Sequence, residues 1–232
     1  MLTGSELRMP RLAIDNTQVG ETVPNMALRD ILKRDGIVTR HKRGEHIIRT
    51  DTRSDRVYYI ESGFVALTSL CSSGKRQVLD FESPGAVLMP SSEGGAGCEL
   101  SVEVLADTVC YMLSASSFRR SVNEDANATE QLANFTNERL RRAYDNLVNI
   151  GCRQGNLRVR YLLGRLAEQV GLSQDGLKAT IPIRQVDLAD AAGVTTVYVN
   201  QILKKLEADK SIALHKGNIE ILQYDRLIEG GA

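Results

Sequence analysis

The sequence predicts an α+β protein whose first half is a β sandwich or jelly roll and whose second half is mainly helical. Two observations predict this division. Before about residue 115, short β-branched and aromatic runs alternate with glycines, which is typical of strands joined by tight turns. After that point, apolar residues recur every three or four positions, which is the period of an α-helix.

The strand-rich half contains seven short runs with high β-propensity. Glycines lie between several of them, at positions where a tight turn needs a positive φ or no side chain. We therefore expect an N-terminal arm over residues 1–24 and a β-roll domain over residues 25–126. The predicted strands are residues 36–39, 45–48, 57–60, 64–68, 77–81, 101–105 and 108–112, and the intervening glycines are Gly44, Gly63, Gly74 and Gly85.

The bulk composition of the 232-residue chain is that of an ordinary globular protein. Hydrophobic residues make up 42% of it, charged residues 25%, and the mean hydropathy is −0.20, which excludes a disordered chain. No apolar run approaches the roughly 20 residues of a membrane span. Residues 1–24 lack the apolar core of a secretory signal, so we expect a cytoplasmic location.

The four cysteines are widely spaced and form no Cys-x-x-Cys pair, so neither a disulfide framework nor a zinc site is predicted. They are Cys71, Cys98, Cys110 and Cys152. A thiol switch at Cys98, Cys110 or Cys152 remains an alternative to a buried, inert thiol.

One long helix is predicted over residues 127–151. Six of its residues follow a strict spacing of three and four, which is typical of the seam of a coiled coil, so we expect a homodimer. The alternative is that this face packs on its own domain. The seam residues are Ala133, Thr136, Leu140, Ala143, Leu147 and Ile150.

The last part of the chain predicts a winged helix-turn-helix, a DNA-binding unit, over residues 157–232, after a hinge at residues 152–156. A short helix over residues 185–192 is followed by Gly193 as the turn, Val194 as a buried plug and Thr195 as the N-cap of a second helix, residues 196–208. Residues 211–222 then form a hairpin, the wing. The inward face of the second helix is Val199, Ile202, Leu203 and Leu206.

Residues 157–232 contain ten lysines and arginines against nine acidic residues, so this unit is not strongly basic as a whole. Contact with DNA phosphates would therefore have to come from local groups of cations. Two groups supply them. The first is an arginine-rich stretch, Arg139, Arg141, Arg142, Arg153, Arg158, Arg160 and Arg165; the second is Lys204, Lys205, Lys210 and Lys216, on the second helix and the wing.

Several stretches together resemble the Crp/Fnr family of bacterial regulators, over about residues 36–225. They are Arg-Gly-Glu at 43–45, Val-Tyr-Tyr-Ile-Glu-Ser-Gly at 57–63, residues 81–85, the long helix, and residues 193–207. The resemblance implies a double-stranded β-helix of the cyclic-nucleotide-binding type, a dimer helix and a palindromic double-stranded DNA operator. It implies phosphate contacts from Arg184, Gln185, Thr195 and Tyr198, to which the cations Lys204 and Lys216 add.

The sensor half departs from members of that family that bind cyclic AMP. Those members have Gly-Glu, whose glutamate binds the ribose, and a downstream Arg-Ser, whose arginine binds the phosphate, but here the matching stretches read Met89-Pro90 and Cys98-Glu99. A carboxylate repels a phosphate, so cyclic AMP is not expected, and the effector is unassigned. The candidate effector pocket is Leu88, Met89, Cys98 and Glu99.

No cofactor is predicted. The resemblance to iron–sulfur members fails because no cysteine precedes Cys71. Haem is not supported either, since the three histidines are sparse and lone histidines in strands are usually structural.

The base-reading face of the second helix also departs from the family. Many members place Arg-Glu-x-x-x-Arg or Glu-x-x-Ser-Arg there, with the arginine on guanine. Here the face is Thr196, Val197, Asn200 and Gln201. Asparagine and glutamine favour adenine, and Val197 suits a thymine methyl.

Three function classes follow. The first is a homodimeric, sequence-specific transcription regulator that contacts RNA polymerase, for which residues 51–56 and 71–76 are candidate loops. The second is a sensor or adaptor that acts through protein partners with weakened DNA binding. The third, an enzyme on a cupin-like roll, lacks a converging set of ligands or nucleophiles in the sequence, so we do not expect an enzyme.

Overall fold

The computed structural model describes residues 26–49, 54–89 and 100–229. The chain divides between Val148 and Asn149 into two compact units. The candidate pocket residues Cys98 and Glu99 and most of the loop at residues 51–56 lie outside the described residues.

The first unit contains an antiparallel sheet of six strands. Its central order is β1-β6-β3-β4, with β2 paired to β6 and β5 paired to β3. The strands are β1 (Ile37–His41), β2 (His46–Ile48), β3 (Arg56–Leu70), β4 (Arg76–Glu82), β5 (Val87–Leu88) and β6 (Ser101–Ser114). This confirms the mixed fold class with an N-terminal sheet.

Two pairs of predicted strands are in fact single long strands, so this part of the prediction is wrong. Residues 57–60 and 64–68 both belong to β3, and residues 101–105 and 108–112 both belong to β6. Gly63, with φ +109°, lies at shifts of register inside β3, where a side chain would come within 2.6 Å of the Thr108 backbone. The ladder to β6 therefore continues through a bulge rather than ending in a turn.

Two further helices, which the sequence did not predict, pack on the sheet. They are α1 (Met26–Asp35) and α2 (Ala115–Asn123). Leu28, Leu32 and Phe118 from these helices join the apolar core formed by residues such as Tyr59 and Leu88. Ser114 caps α2 by accepting a hydrogen bond from the Ser117 amide.

The long helix α3 (Ala126–Cys152) agrees with the predicted span to within one residue at each end. One of its faces packs on the sheet through buried Ala128 and Phe135. On the same face, Arg142 reaches the buried carboxylates of Asp80 (3.0 Å) and Glu82 (2.9 Å) on β4. Arg139 pairs with Glu82 at 3.2 Å as well.

The second unit has the predicted order of elements. They are α4 (Gly155–Val170), β7 (Ala179–Ile181), α5 (Gln185–Ala192), α6 (Thr196–Ala208), β8 (Ile212–His215), β9 (Asn218–Ile221) and α7 (Tyr224–Glu229), of which only α7 was not predicted. The strands form a sheet of order β7-β9-β8. Residues 155–156, which the sequence placed in the hinge, are already helical.

Among the described residues, no helix is long and apolar enough to cross a membrane.

Candidate nucleic-acid interface

The turn between α5 and α6 is built as the sequence predicts. Gly193 ends α5 in the left-handed conformation at φ 65°, which a residue with a Cβ adopts at a cost. The Thr195 side chain then caps α6 by accepting a hydrogen bond from the Tyr198 amide at 3.2 Å. Val194 is only half-buried, so its assignment as a buried plug is wrong.

Helix α6 is held by an apolar face and presents a polar one. Val199, Ile202, Leu203 and Leu206 are all buried, as predicted from their spacing. On the other side, Thr196 and Gln201 are exposed, and Val197 is 70% exposed. The exposed groups on the first two turns of α6 are therefore mostly polar.

Asn200 is the member of the predicted base-reading set that is not fully exposed. It is half-buried, and its Nδ2 donates a hydrogen bond to Oε1 of Gln185, the first residue of α5, at 2.9 Å. The sequence assigned Gln185 to phosphate and Asn200 to bases as separate roles. The structure brings the two side chains together, which spacing alone did not indicate.

The other predicted phosphate ligands lie near the N-termini of α5 and α6, later in α6, or in the turn of the wing. The Arg184 guanidinium binds both oxygens of the buried Asp187 carboxylate, at 2.7 and 2.8 Å, and its side chain is still 41% exposed. Its charge is thereby fixed in orientation at the start of α5. Lys204 and Lys216 are exposed, on α6 and in the turn of the wing.

Tyr198 is positioned by a close approach to α4. A Cβ on Gly155 would lie 2.6 Å from Cε1 of the Tyr198 ring, so the ring can lie over the first residue of α4 because that residue is a glycine. The ring remains 39% exposed. This packing was missed by the sequence reasoning, since the two residues are 43 positions apart.

Side-chain contacts also connect the end of α3 to the start of α4. The Arg153 guanidinium lies 4.1 Å from the centre of the Tyr161 ring. Arg158 donates from Nε to the Arg153 carbonyl at 2.8 Å, and Asn149 donates to the Arg158 carbonyl at 3.3 Å. The break between the helices is therefore braced by side chains.

The arginine-rich stretch is mostly structural, which corrects its assignment as a source of free cations for phosphate. Arg139 and Arg142 pair with β4, and Arg141 pairs with Glu138 and Asp145 on its own helix. Arg160 and Arg165 are buried, and Arg160 donates to the Leu227 carbonyl. Several of these arginines have partners that are remote in sequence, so the run of like charges by itself did not indicate that they are paired.

The predicted seam residues of α3 all lie exposed. Leu140 is 48%, Leu147 67% and Ile150 36% exposed, and Ala133, Thr136 and Ala143 are also exposed. Tyr144 and Val148, at 57% and 51%, extend the same apolar surface. The alternative that this face packs on its own domain is wrong, because a different face of α3, with Ala128 and Phe135, makes that contact.

Two of the candidate pocket residues are described, and they differ. Leu88 is buried in the core of the roll, whereas Met89 is 39% exposed. Leu88 is therefore a packing residue, and neither side chain supplies a carboxylate for a ribose.

The three described thiols also differ. Cys71 and Cys152 are exposed, and Cys110 is buried. Burial raises the pKa of the Cys110 thiol to about 12, so it stays protonated at neutral pH. Cys110 therefore has the properties of a core residue rather than a redox switch.

Comparison with known protein families matches both halves of the chain. Residues 38–125 match the cyclic nucleotide-binding domain, and residues 157–229 match the Crp-like helix-turn-helix domain.

Among curated proteins, the chain is 27% identical over 192 residues to the nitrogen fixation regulation protein FixK of Rhizobium meliloti, covering 82% of this chain and 85% of FixK. It is 24% identical over 187 residues to a CRP-like cAMP-activated global transcriptional regulator of Mycobacterium tuberculosis, covering 80% and 84%. Among solved structures, FixK2 of Bradyrhizobium japonicum has a TM-score of 0.71 at 24% identity, covering 83% of this chain and 95% of FixK2. That last likeness is one of fold.

Proposed function

The chain belongs to the Crp/Fnr family of transcription regulators, and from that premise we propose that it acts in the cytoplasm as a homodimer on a palindromic DNA operator. The observation that carries this proposal is the pair of uncovered surfaces: the polar face of α6 and the apolar seam of α3. A polar helix face suits the major groove, and an apolar one suits a second protein chain.

The seam supports dimerisation because its exposed apolar surface would be removed from water in a dimer. Leu140 and Leu147 expose about half and two thirds of their surface, and burying the exposed part of each would contribute roughly 1–2 kcal/mol. Ala133 and Ala143 allow two helices to approach closely between them. A dimer with two-fold symmetry carries two copies of α6, which would read half-sites about one turn of DNA apart or a multiple of it.

The base-reading set Thr196, Val197, Asn200 and Gln201 carries no arginine, so we propose an operator without the guanine contact that is common in the family. The amide side chains favour adenine, and Val197 is exposed enough to meet a thymine methyl. Arg184, Gln185, Thr195, Tyr198, Lys204 and Lys216 would position the unit on the phosphates.

Selection of bound duplexes from a random library tests this proposal. We expect a palindrome whose half-sites are dominated by A·T pairs, with affinity that falls steeply as salt increases. Recovery of the family's common guanine-containing half-site would contradict the proposed readout. Absence of binding at low salt would contradict the DNA-binding proposal and favour the adaptor.

We also propose that activity does not depend on cyclic AMP, an iron–sulfur cluster or haem. Support for the first comes from Glu99, an acid where the phosphate-binding arginine of cyclic-AMP-binding members is expected, and from Leu88, which is used by the core. Calorimetric titration with cyclic AMP at millimolar concentration should give no heat of binding. A saturable signal, or operator affinity that rises with cyclic AMP, would overturn this proposal.

For contact with RNA polymerase we propose the turn between β3 and β4, where residues 71–75 are exposed. Replacing Lys75 with alanine tests it: transcription from a responsive promoter should fall while operator affinity stays unchanged. A parallel fall in operator affinity, or unchanged transcription, would contradict this assignment.

A further inference from the structure

We propose that Gln185 is a positioning residue that fixes the side-chain amide of Asn200, so that Asn200 selects a base with an exocyclic amino group, adenine or cytosine. This inference rests on the proposed function, in which α6 reads bases. It adds a second residue, outside the recognition helix, that decides which base one position of that helix accepts.

The hydrogen bond between Asn200 and Gln185 joins α6 to α5 beside the exposed polar face of α6. Gln185 is the first residue of α5, and Asn200 lies in the second turn of α6. The Asn200 Nδ2 donates to the Gln185 Oε1 at 2.9 Å, which is the most common distance for an N–H···O bond. Both residues are half-buried, so each keeps part of its surface accessible.

The backbone on both sides of this pair is held in place. Arg184, next to Gln185, binds the buried Asp187 carboxylate through two nitrogens. On α6, Val199 is fully buried beside Asn200. The two amides therefore meet because their helices are fixed, and the pairing is a property of the free protein that precedes any contact with DNA.

An asparagine amide has a donor end and an acceptor end, and rotation about its last bond exchanges them. A free asparagine can therefore offer either end to a base. In the arrangement that the structure shows, Gln185 accepts from Nδ2, so Oδ1 is the end of the Asn200 amide that is left to meet a base edge. A donor on the base is then required opposite it.

Only two bases provide that donor in the major groove. Adenine carries N6–H₂ and cytosine carries N4–H₂, whereas guanine and thymine present only acceptors near that edge, together with the thymine methyl. A pinned Asn200 is thus complementary to adenine and cytosine and faces a repulsive acceptor on the other two bases. We expect a preference of about tenfold or more at one base pair of each half-site.

The experiment compares variants of the full-length chain by selection from a half-site library that contains all four bases at every position. The base pair read by Asn200 is the one at which N200A loses discrimination. There, the wild type and Q185E should both favour adenine or cytosine, because glutamate is also an acceptor for Nδ2. Q185M should flatten the preference, since the methionine sulfur is only a weak acceptor.

The decisive variant is Q185K. Lysine only donates, so it would bind Oδ1, turn the amide over and shift the preference to guanine or thymine. The double variant Q185K/N200D separates this rotation from the effect of charge: an aspartate has two acceptor oxygens, so the preference for an amino base should return. Thermal unfolding of each variant is measured alongside, since loss of a brace between α5 and α6 would lower stability without changing base choice.

Each result is decisive for one level of the proposal. If Q185K or Q185M keeps the wild-type base preference, Gln185 does not position Asn200 and the inference is overturned. If the wild type selects no sequence at all, the proposed function fails instead. A wild type that selects an operator, with a preference that reverses in Q185K and returns in Q185K/N200D, supports both.

Discussion

Helices α3 and α6 each bury one face against their own unit and leave another uncovered, but the uncovered faces differ. On α3, Leu147 is 67% exposed and stands in a row of exposed apolar side chains, from Leu140 to Ile150, that continues for about three turns. On α6, Val197 is 70% exposed but stands among polar neighbours. An exposed apolar residue is ordinary by itself. A row of them at helical spacing indicates a protein partner, and an isolated one among amides and hydroxyls is compatible with a groove of DNA.

The largest expected effect comes from replacing apolar residues of the α3 seam with charged ones, which makes this surface polar like the exposed face of α6. The double variant L140E/L147E places four like charges in a two-helix interface, so we expect a monomer by analytical ultracentrifugation. Operator affinity should fall at least about 100-fold, because the two half-sites are no longer read together.

The matched control for that variant is N134E, a new charge at an exposed position on another face of α3. It should remain dimeric with unchanged operator affinity. A dimeric L140E/L147E variant would show that the seam is not the interface.

The second prediction concerns the buried face of α3. There, ion pairs help to hold the helix against its unit, whereas α6 is held by apolar packing. R142A should lower the free energy of unfolding by about 3 kcal/mol, because it removes a partner from the buried carboxylates of Asp80 and Glu82. R141A, on the exposed surface, removes pairs to Glu138 and Asp145 and should cost about 0.5 kcal/mol or less. Urea denaturation measures both, and equal costs would refute the distinction between the two faces.

A third, smaller effect separates the two kinds of DNA contact proposed for α6. K204A should weaken binding to all sequences alike and reduce the slope of log affinity against log salt by about 1. N200A should leave that slope unchanged and reduce discrimination between operators. K178A, at an exposed lysine outside the proposed interface, is the control and should change neither quantity.

The last prediction expects no change: the reactivity of the Cys152 thiol, at the end of α3, should not depend on dimerisation. In a C98S background, Cys71 and Cys152 should react rapidly with a thiol reagent at pH 8, and Cys110 only after unfolding, because burial raises its pKa to about 12. Cys152 should react equally fast in the dimeric chain and in L140E/L147E, since helical periodicity places it away from the seam. Slower reaction in the dimer would place the interface on a different face.

The sequence predicted the C-terminal unit closely, and it predicted the roll less well. Helices α5 and α6 were predicted with the bounds that the structure has, because Gly193 and Thr195 are local signals that act within a few residues. The strand β3 was divided in two because Gly63, which predicted a turn, lies here in a bulge, and β6 was divided at residues 106–107, which lie opposite that bulge. Whether such a glycine ends a strand depends on the neighbouring strand.

The same limit applied to charged and amide side chains. The arginines of α3 were assigned as available cations, yet Arg142 has partners about 60 positions earlier in the chain. The pairing of Gln185 with Asn200 joins two helices across a turn and leaves no periodic signal. Side-chain partners of this kind depend on how helices cross.

The sequence by itself determined the order of elements from α3 to β9, the buried face of α6 and the apolar seam of α3, because periodicity and capping are properties of short segments. Only the tertiary structure decided that the seam is uncovered, that the arginines of α3 are mostly paired and that Asn200 is held by Gln185. The physical reason is that hydrogen bonds and ion pairs act over about 3 Å, and distances of that size between residues remote in sequence are set by packing.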